Sequence, residues 1–138
     1  MTKTNELKMS KPAYLVSDED EEQKAVINWC QYNLGRWPEL EYIFHVPNGE
    51  KREPWVGRKL ELMGVKRGVP DLMLLVPRGG FHGLLLEMKR IDKNMSDLSK
   101  DQRRFLAFEN VQGFATCVGF GSEDAIKKIT AYMEGRLK

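Results

Sequence analysis

The sequence predicts an α/β domain whose mixed central sheet is flanked by helices. Three observations support this class: apolar runs of strand length alternate with helical patterns, a glycine turn joins two of these runs, and 138 residues suffice for one core. Apolar residues make up 41% and charged residues 30% of the chain, which is typical of a globular protein. We divide the chain into a flexible leader at 1–16 and a single domain at 17–138.

Four helices are predicted from apolar residues that recur every three or four positions. The first begins at the acidic run 18–22, because carboxylates favour a helix N-terminus, and it reaches about residue 34. The others span about 54–63, 99–112 and 123–135. Glycines at or just beyond these ends favour helix termination.

Four strands are predicted between these helices, at 41–46, 71–76, 81–89 and 114–120. The run 71–76 is almost entirely apolar, which is typical of a strand covered on both faces. The turn at 77–80 contains Gly79 and Gly80 and predicts an antiparallel hairpin between the second and third strands.

Composition excludes several classes of protein. No apolar run approaches the ~20 residues that span a bilayer, and the start lacks the apolar core of a signal peptide. Cys30 and Cys117 lie far apart without the spacing of a zinc site, so we expect reduced thiols in a cytoplasmic protein that has no membrane partner.

The charge is near neutral in total but uneven along the chain. The protein has 22 basic and 20 acidic residues, a net charge of +2. The segment 45–105 contains 13 basic and 8 acidic residues, so it carries +5 while the remainder carries −3. A basic middle segment favours binding to a phosphodiester backbone, although each of these residues alone is typical of a solvated surface.

Two strands of the predicted sheet carry unusual polar residues. Asp71 follows Pro70 at the start of one strand, and Glu87 and Lys89 lie near the end of the next. Side chains two apart on a strand share a face, and a hairpin centred on 79 and 80 places Asp71 opposite roughly residue 88.

This cluster has a chemical use. Carboxylate oxygens and the carbonyl of Met88 are ligands that Mg²⁺ accepts, and the lysine can position or deprotonate water or neutralise charge on phosphate oxygens. A Glu-x-Lys pair taken alone is often only an exposed ion pair.

The motifs together resemble the VRR-Nuc (virus-type replication-repair nuclease) family of the PD-(D/E)xK nuclease superfamily. The resemblance covers about residues 17–133 and depends on the order and separation of these motifs: Asn48-Gly49, Lys51-Arg52, Gly64-Val65-Lys66, Gly68-Val69-Pro70-Asp71, His82-Gly83-Leu84, Glu87-Met88-Lys89 and Gln102.

The resemblance implies a role for each site residue. Asp71 and Glu87 would bind the divalent metal, Lys89 would be the catalytic lysine, and Gln102 would support the site. The family also uses a carboxylate of the first helix in a Glu-x-x-x-Gln pattern, which Glu19 fits here, with Glu22 as the rival. The implied cofactor is Mg²⁺, for which Mn²⁺ can substitute.

Phosphate contacts are expected mainly between the first two strands. The candidates for DNA binding are Asn48, Lys51, Arg52, Arg58, Lys66 and Arg67. Trp55 could pack on DNA, although burial in the core is the commoner fate of a tryptophan at helical spacing. We expect His45 and His82 to be structural or close to substrate rather than metal ligands.

The resemblance implies a Mg²⁺-dependent endonuclease that leaves 5′-phosphate ends, acting on branched DNA such as four-way (Holliday) junctions in replication, recombination or repair. Because one chain carries one site, symmetric cutting of two strands predicts a homodimer, formed through the helix 54–63 or the last helix. Two alternatives stay open: a non-catalytic nucleic-acid-binding module within a larger repair or replication assembly, and a structural α/β protein.

Overall fold

The computed structural model describes residues 16–47 and 53–138. These ranges contain the helices α1 (Glu19–Tyr32), α2 (Pro54–Leu62), α3 (Lys100–Val111) and α4 (Ser122–Met133), and the strands β1 (Phe44–His45), β2 (Leu72–Leu74), β3 (Leu84–Lys89) and β4 (Ala115–Phe120). The strands form one sheet in the order β1-β2-β3-β4, in which β1, β2 and β3 are antiparallel and β4 is parallel to β3. The predicted mixed sheet flanked by helices is confirmed. The predicted leader lies almost wholly outside the described residues.

Side chains at the helix starts explain where α1 and α3 begin. Asp18 accepts a hydrogen bond from the Glu21 N–H at 2.8 Å, and four acidic residues follow in the first turn of α1. In α3, the Ser99 hydroxyl and the Gln102 side chain form a reciprocal capping box, in which each accepts from the other's backbone N–H. Both arrangements satisfy N–H groups that have no partner within the helix.

The two faces of the sheet are covered by different helices. On one face, α1 and α4 contribute Val26, Cys30, Ile129 and Tyr132 to the main core, where they join the even-numbered residues of β2 and β3. On the other face a smaller cluster forms around Leu98, Leu106 and Val118. The odd-numbered side chains of β3 point to this second face, where Glu87 accepts a hydrogen bond from Gln102 of α3.

The predicted strand at 41–46 is wrong over its first half. Residues 38–42 form a 3₁₀-helix, and only Phe44 and His45 pair with β2. Pro38 at the first position favours a helical turn, and the turn directs Leu40 into the core, where it is fully buried. Burial of Leu40 therefore outweighs the β-propensity of the aromatic and branched residues around it.

The strands of the hairpin are shorter than predicted. The run 71–76 forms a ladder only at Leu72–Leu74, and Leu75 is 59% exposed, so the prediction of a strand covered on both faces over its whole length is wrong. Likewise, the run 81–89 enters the ladder only at residue 84. Asp71 turns out of the ladder at one end, and an irregular connection interrupts it at the other.

The hairpin register differs by one residue from the prediction. The glycine turn is present, because Arg78 and Phe81 face each other across Gly79 and Gly80, which both have positive φ. Three residues then separate Arg78 from β2, but only two separate Phe81 from β3, since Leu74 pairs with Leu84. This extra residue places position 71 opposite 87 instead of 88.

The helix α2 is confirmed, but it lies on the surface. No residue of α2 is buried. Trp55 is 70% exposed, which excludes the alternative of burial in the core, and Leu62 is 80% exposed. None of the helices in the described ranges combines the length and the apolar character needed to cross a bilayer.

Two side chains of α4 occupy the open edge of β4. The Ala115 N–H donates to Gly83 and the Gly121 N–H donates to Lys89, so odd-numbered residues of β4 face β3 and even-numbered ones face outwards. Asp124 accepts from the outward N–H of Phe120 at 2.9 Å, and Lys128 donates to the outward carbonyl of Val118. The pair thus takes the place of a neighbouring strand, which protects an edge that is otherwise open to pairing.

The edge contact gives a test of stability. Asp124→Ala should lower the free energy of unfolding by about 1–3 kcal/mol, because the Phe120 N–H loses its acceptor in a partly buried position. Urea unfolding followed by circular dichroism measures this difference. The matched control is Glu123→Ala at an exposed neighbouring position, which should change stability by no more than about 0.5 kcal/mol. Equal effects in the two variants would contradict the role of Asp124.

Candidate active site

The start of β2 is shaped by a proline and an aspartate. By the register of β2 and β3, Pro70 lies opposite Met88, and a proline has no N–H to donate to the Met88 carbonyl. The Met88 N–H donates instead to Oδ2 of Asp71, at 2.8 Å. The aspartate side chain therefore replaces a ladder hydrogen bond and is held at the end of the sheet. The Met88 carbonyl, a predicted metal ligand, is left without a ladder donor from β2.

Glu87 is a buried carboxylate on the same face as Asp71. Its side chain is 3% exposed, and Oε1 accepts from Nε2 of Gln102 at 2.9 Å. Oε1 of Gln102 accepts from the Ser99 N–H in the capping box, so the amide group is oriented with its nitrogen towards Glu87. Oε2 of Glu87 is buried, and no residue within the described ranges donates a hydrogen bond to it. A buried anionic oxygen that lacks a donor is costly unless a positive charge reaches it.

The environment of Glu87 favours its protonated form. Burial is the largest influence on the pKa of Glu87, and the neighbouring Asp71 carboxylate adds repulsion and a hydrogen bond that only protonated Glu87 can donate, so that together they raise this pKa to about 9. Lys89 acts in the opposite direction. A cation between the two carboxylates would reverse this balance, because it favours the charged form of both.

Lys89 and Glu19 complete the group of charges. Lys89 lies two residues after Glu87 on β3, and its ammonium lowers the pKa of both Glu87 and Glu19. Burial is the largest influence on the pKa of Glu19 and raises it, and the nearby Asp71 raises it further. The first turn of α1 therefore brings its carboxylate within electrostatic reach of Asp71 and Lys89.

Glu22 lies elsewhere, although the sequence left it as a rival to Glu19. Oε2 of Glu22 accepts from the backbone N–H of Ser122 at the start of α4. The structure thus separates the two glutamates: Glu19 is close to the charged cluster, and Glu22 is engaged with a helix N-terminus.

A cleft of about 220 Å³ opens over the two carboxylates. It is lined by Arg67, Gly68, Val69, Asp71, Glu87, Ser99, Asp101 and Gln102. Gly68 has a φ of +80°, and a Cβ there would come within 2.4 Å of the Asp101 carbonyl carbon. Only glycine fits both requirements. The segment that leads into Asp71 therefore packs directly on the first turn of the helix that carries Gln102.

The two histidines have different surroundings. Nδ1 of His45 lies 2.7 Å from the carbonyl oxygen of Asp71, which can only accept, so the proton is on Nδ1. His45 thus supports the main chain of a site residue, a contact that its position before a turn did not reveal. His82 packs on Gly113 and on the ring of Phe114, at the opposite end of β3.

The predicted DNA-binding residues are only partly within the described ranges. Arg58, Lys66 and Arg67 are exposed, and Arg67 lines the cleft while forming a 3.7 Å ion pair with Glu61. Asn48, Lys51 and Arg52 lie outside the described residues. Basic residues that sequence reasoning left out of this set are also exposed, on or before α3: Lys93, Lys100, Arg103 and Arg104.

The donor set fits a hexacoordinate Mg²⁺ that retains water. Within the described ranges, no three His, Cys, Asp or Glu side chains converge into a closed metal cage. Mg²⁺ commonly binds through one or two carboxylates and keeps several waters, so Asp71, Glu87 and the Met88 carbonyl suffice. A cation there would also compensate Oε2 of Glu87, which receives no hydrogen bond from the residues that the structure describes.

Comparison with known proteins agrees with this geometry. The model of the VRR-NUC domain family matches residues 10–119. A solved structure named "VRR_NUC domain protein" superposes with a TM-score of 0.72 and 30% sequence identity, covering 87% of this chain and 91% of that one. Among curated proteins, none matches the chain.

The fold and the match together define a nuclease-like α/β module. The chain belongs to the VRR-NUC domain family. This family is part of a nuclease superfamily, so hydrolytic nuclease chemistry is the general class of activity, and a nucleic acid is the partner that this class indicates.

The raised pKa of Glu87 predicts how stability depends on pH without metal. The folded protein holds this proton more tightly than the unfolded chain does, so the stabilisation is complete below the ordinary glutamate pKa of 4.5 and is lost as the pH rises towards about 9. Glu87→Gln stays neutral, and its amide can donate to Asp71. In EDTA it should exceed the wild type in unfolding free energy by about 1–3 kcal/mol at pH 8, and by less at pH 5.

Urea unfolding at the two pH values measures this difference. Glu41→Gln, at an exposed position, is the control and should show no such divergence from the wild type. If Glu87→Gln and the wild type had the same stability at pH 8, Glu87 would be an ordinary ionised carboxylate.

Proposed function

We propose that this protein is a Mg²⁺-dependent endonuclease that hydrolyses phosphodiester bonds of DNA, with Mn²⁺ as a substitute ion. The single observation that carries the proposal is the buried Glu87 carboxylate, whose Oε2 lacks a donor and which lies beside Asp71 under an open cleft. An ion pair at a strand end would not bury a carboxylate in this way, so the purely structural alternative is disfavoured.

The residues of the chain divide the work of hydrolysis. Asp71, Glu87 and the Met88 carbonyl would hold the metal, and Glu19 would contribute a further carboxylate nearby. When bound, Mg²⁺ supplies positive charge for the phosphate oxygens. Gln102 fixes the orientation of Glu87, and the Met88 N–H fixes that of Asp71. The site is thus ordered before substrate arrives, which reduces the reorganisation that accompanies reaction.

Lys89 is placed to act on the attacking water or on the phosphate. It projects from the same face of β3 as Glu87, and its ammonium is near both Glu87 and Glu19. From there it positions the water or neutralises charge that develops on phosphorus-bound oxygens. Water attack breaks a phosphorus–oxygen bond and leaves a 5′-phosphate and a 3′-hydroxyl, the polarity that the resemblance implies.

The basic residues around the cleft suit a DNA backbone. Arg67 lines the cleft itself. Other basic side chains are exposed on segments near it in sequence: Arg58, Lys66, Lys100, Arg103 and Arg104. Branched DNA, such as a four-way junction, is the substrate that the family resemblance favours. Such an enzyme would work in replication, recombination or repair, in the cytoplasm.

Nuclease assays with single-site variants test the proposal. Asp71→Ala, Glu87→Ala and Lys89→Ala should each lower the cleavage rate by about 10²–10³-fold, because each removes a charge at the reacting centre. Cleavage is measured in Mg²⁺ on a panel of duplex, single-stranded, flap, splayed-arm and four-way-junction DNA. EDTA should abolish it, and Ca²⁺ should block it.

Lys127→Ala is the matched control for loss of a lysine, since Lys127 is exposed on α4 and outside the cleft. Full activity in all three site variants would overturn the mechanism. DNA binding by the wild type without cleavage in either Mg²⁺ or Mn²⁺ would establish the alternative, a binding module within a larger assembly.

We also propose a homodimer in which α2 forms the interface. The sequence allowed either this helix or the last one. The apolar side chains of α4 are used in its own core, where Ala125, Ile129 and Tyr132 are buried, whereas α2 buries nothing. Trp55 and Leu62 are seven residues apart and therefore lie on one side of α2, both exposed. Such a face favours contact with an apolar partner surface.

The oligomeric state tests this assignment. Leu62→Glu should convert a dimer into a monomer in light scattering after size-exclusion chromatography, because it places a charge in the apolar contact. Val111→Glu is the control, since Val111 is similarly exposed, at 82% compared with 80%, but lies on α3. A wild type that is monomeric at all concentrations, or a dimeric Leu62→Glu, would exclude this interface.

A further inference from the structure

We propose that Glu22 is a positioning residue, which ties the first turn of α1 to the start of α4 and thereby places Glu19 in the charged cluster. The inference rests on the proposed metal-dependent function and assigns a distinct role to the second glutamate of the acidic run. It follows from three contacts that meet at one corner of the fold.

The first contact links two helices. Glu19 and Glu22 are three residues apart on α1, so their side chains project from neighbouring positions on the helix surface. Glu19 is near enough to Asp71 and Lys89 for both charges to act on its pKa, whereas Glu22 accepts from the Ser122 N–H. A displacement of the helix turn that carries one carboxylate therefore displaces the other.

The second contact explains why α4 needs a carboxylate from elsewhere. Its N-cap residue is Gly121, which has no side chain with which to satisfy the first N–H groups. A Cβ at Gly121 would lie 3.3 Å from Cβ of Ile91 and 3.6 Å from Oε2 of Glu22. The Glu22 carboxylate therefore lies directly against Gly121, and the positive end of α4 favours its charge.

The third contact connects this corner to the reacting centre. The Gly121 N–H donates to the carbonyl of Lys89 at 2.9 Å. Two consecutive amides at the start of α4 therefore hold the main chain of Lys89 and the side chain of Glu22. As a result, the start of α4 helps to position both Lys89 on β3 and the turn of α1 that carries Glu19.

The rest of the acidic run makes no comparable link. Asp18 caps α1 itself, and Glu21 pairs with Lys24 on the same helix at 3.4 Å. Within the described ranges, the contact of Glu22 with Ser122 is the one side-chain hydrogen bond from the first turn of α1 to another element. Loss of this contact should free the turn to move away from Asp71 and Lys89.

Mn²⁺ affinity provides a readout that is independent of cleavage. Electron paramagnetic resonance of free Mn²⁺ measures binding to the full chain. Glu22→Ala should weaken binding roughly tenfold, the effect expected when support for a ligand is lost. Glu22→Gln should bind normally, because its amide oxygen still accepts from the Ser122 N–H. Glu21→Ala is the matched control, since it removes a charge from the same turn and should leave binding unchanged.

A second variant removes the donor instead of the acceptor. Ser122→Pro deletes the N–H at the first position of α4, where proline is well accepted, and should weaken Mn²⁺ binding as much as Glu22→Ala does. Thermal unfolding monitored by circular dichroism shows whether Glu22→Ala folds. If it does not fold, Ser122→Pro still tests the proposal.

A double-mutant cycle separates positioning from general damage. In a Glu19→Ala background, Glu22→Ala should weaken Mn²⁺ binding no further, because it acts through Glu19. Equal weakening in both backgrounds, or unchanged affinity of Glu22→Ala and Ser122→Pro in the wild type, would overturn the proposal. A wild type that binds no Mn²⁺ would instead overturn the metal-dependent function, and this positioning role with it.

Discussion

The burial of one carboxylate, that of Glu87, is the constraint on which the rest of the site depends. A sheet interior tolerates such a group only if each oxygen is compensated. Gln102 compensates Oε1, and its own amide is oriented by the cap at the start of α3. Oε2 has no donor, so this half of the carboxylate is stable when protonated or when it faces a cation. The same buried carboxylate that would bind a cation therefore also lowers the stability of the folded protein when it is ionised without one.

Three helix N-termini meet at the end of β3, and this convergence shapes the electrostatics of the cleft. The first turn of α1 brings Glu19, that of α3 brings Gln102, and that of α4 holds the Lys89 carbonyl. Helix N-termini carry partial positive charge. They offset part of the repulsion among the carboxylates, and they favour the approach of an anionic backbone to a site that itself contains acidic residues.

The sequence predicted the parts of the structure that follow from local periodicity. The Pro-Asp and Glu-x-Lys segments could be placed together because strand side chains alternate and a glycine turn joins their strands. The helix predicted at about 99–112 is present as α3, which begins directly after Ser99. Those signals are short in range, and the α/β class with its four helices could therefore be predicted from them.

Other features depend on neighbours that are distant in sequence. Glu19 and Glu22 are chemically identical and lie on one side of a predicted helix, and only the location of Ser122 distinguishes them. The strand expected at 41–46 gives way to a 3₁₀-helix because Leu40 finds a place in the core. Trp55 has the spacing of a core residue, yet no element of the described chain covers it. In each case, tertiary packing decides what propensity leaves open.

The single extra residue between β2 and the glycine turn has a consequence for how this domain can change. Side chains on a strand alternate, so the parity of the connection decides which face Asp71 occupies relative to Glu87. With an evenly paired hairpin, Asp71 would lie opposite Met88, on the face that α1 and α4 fill. The length of this connection therefore decides whether the two carboxylates lie on the same face of the sheet. Insertions or deletions of two residues can preserve the chemistry, whereas a change of one separates the two acids across the thickness of the sheet.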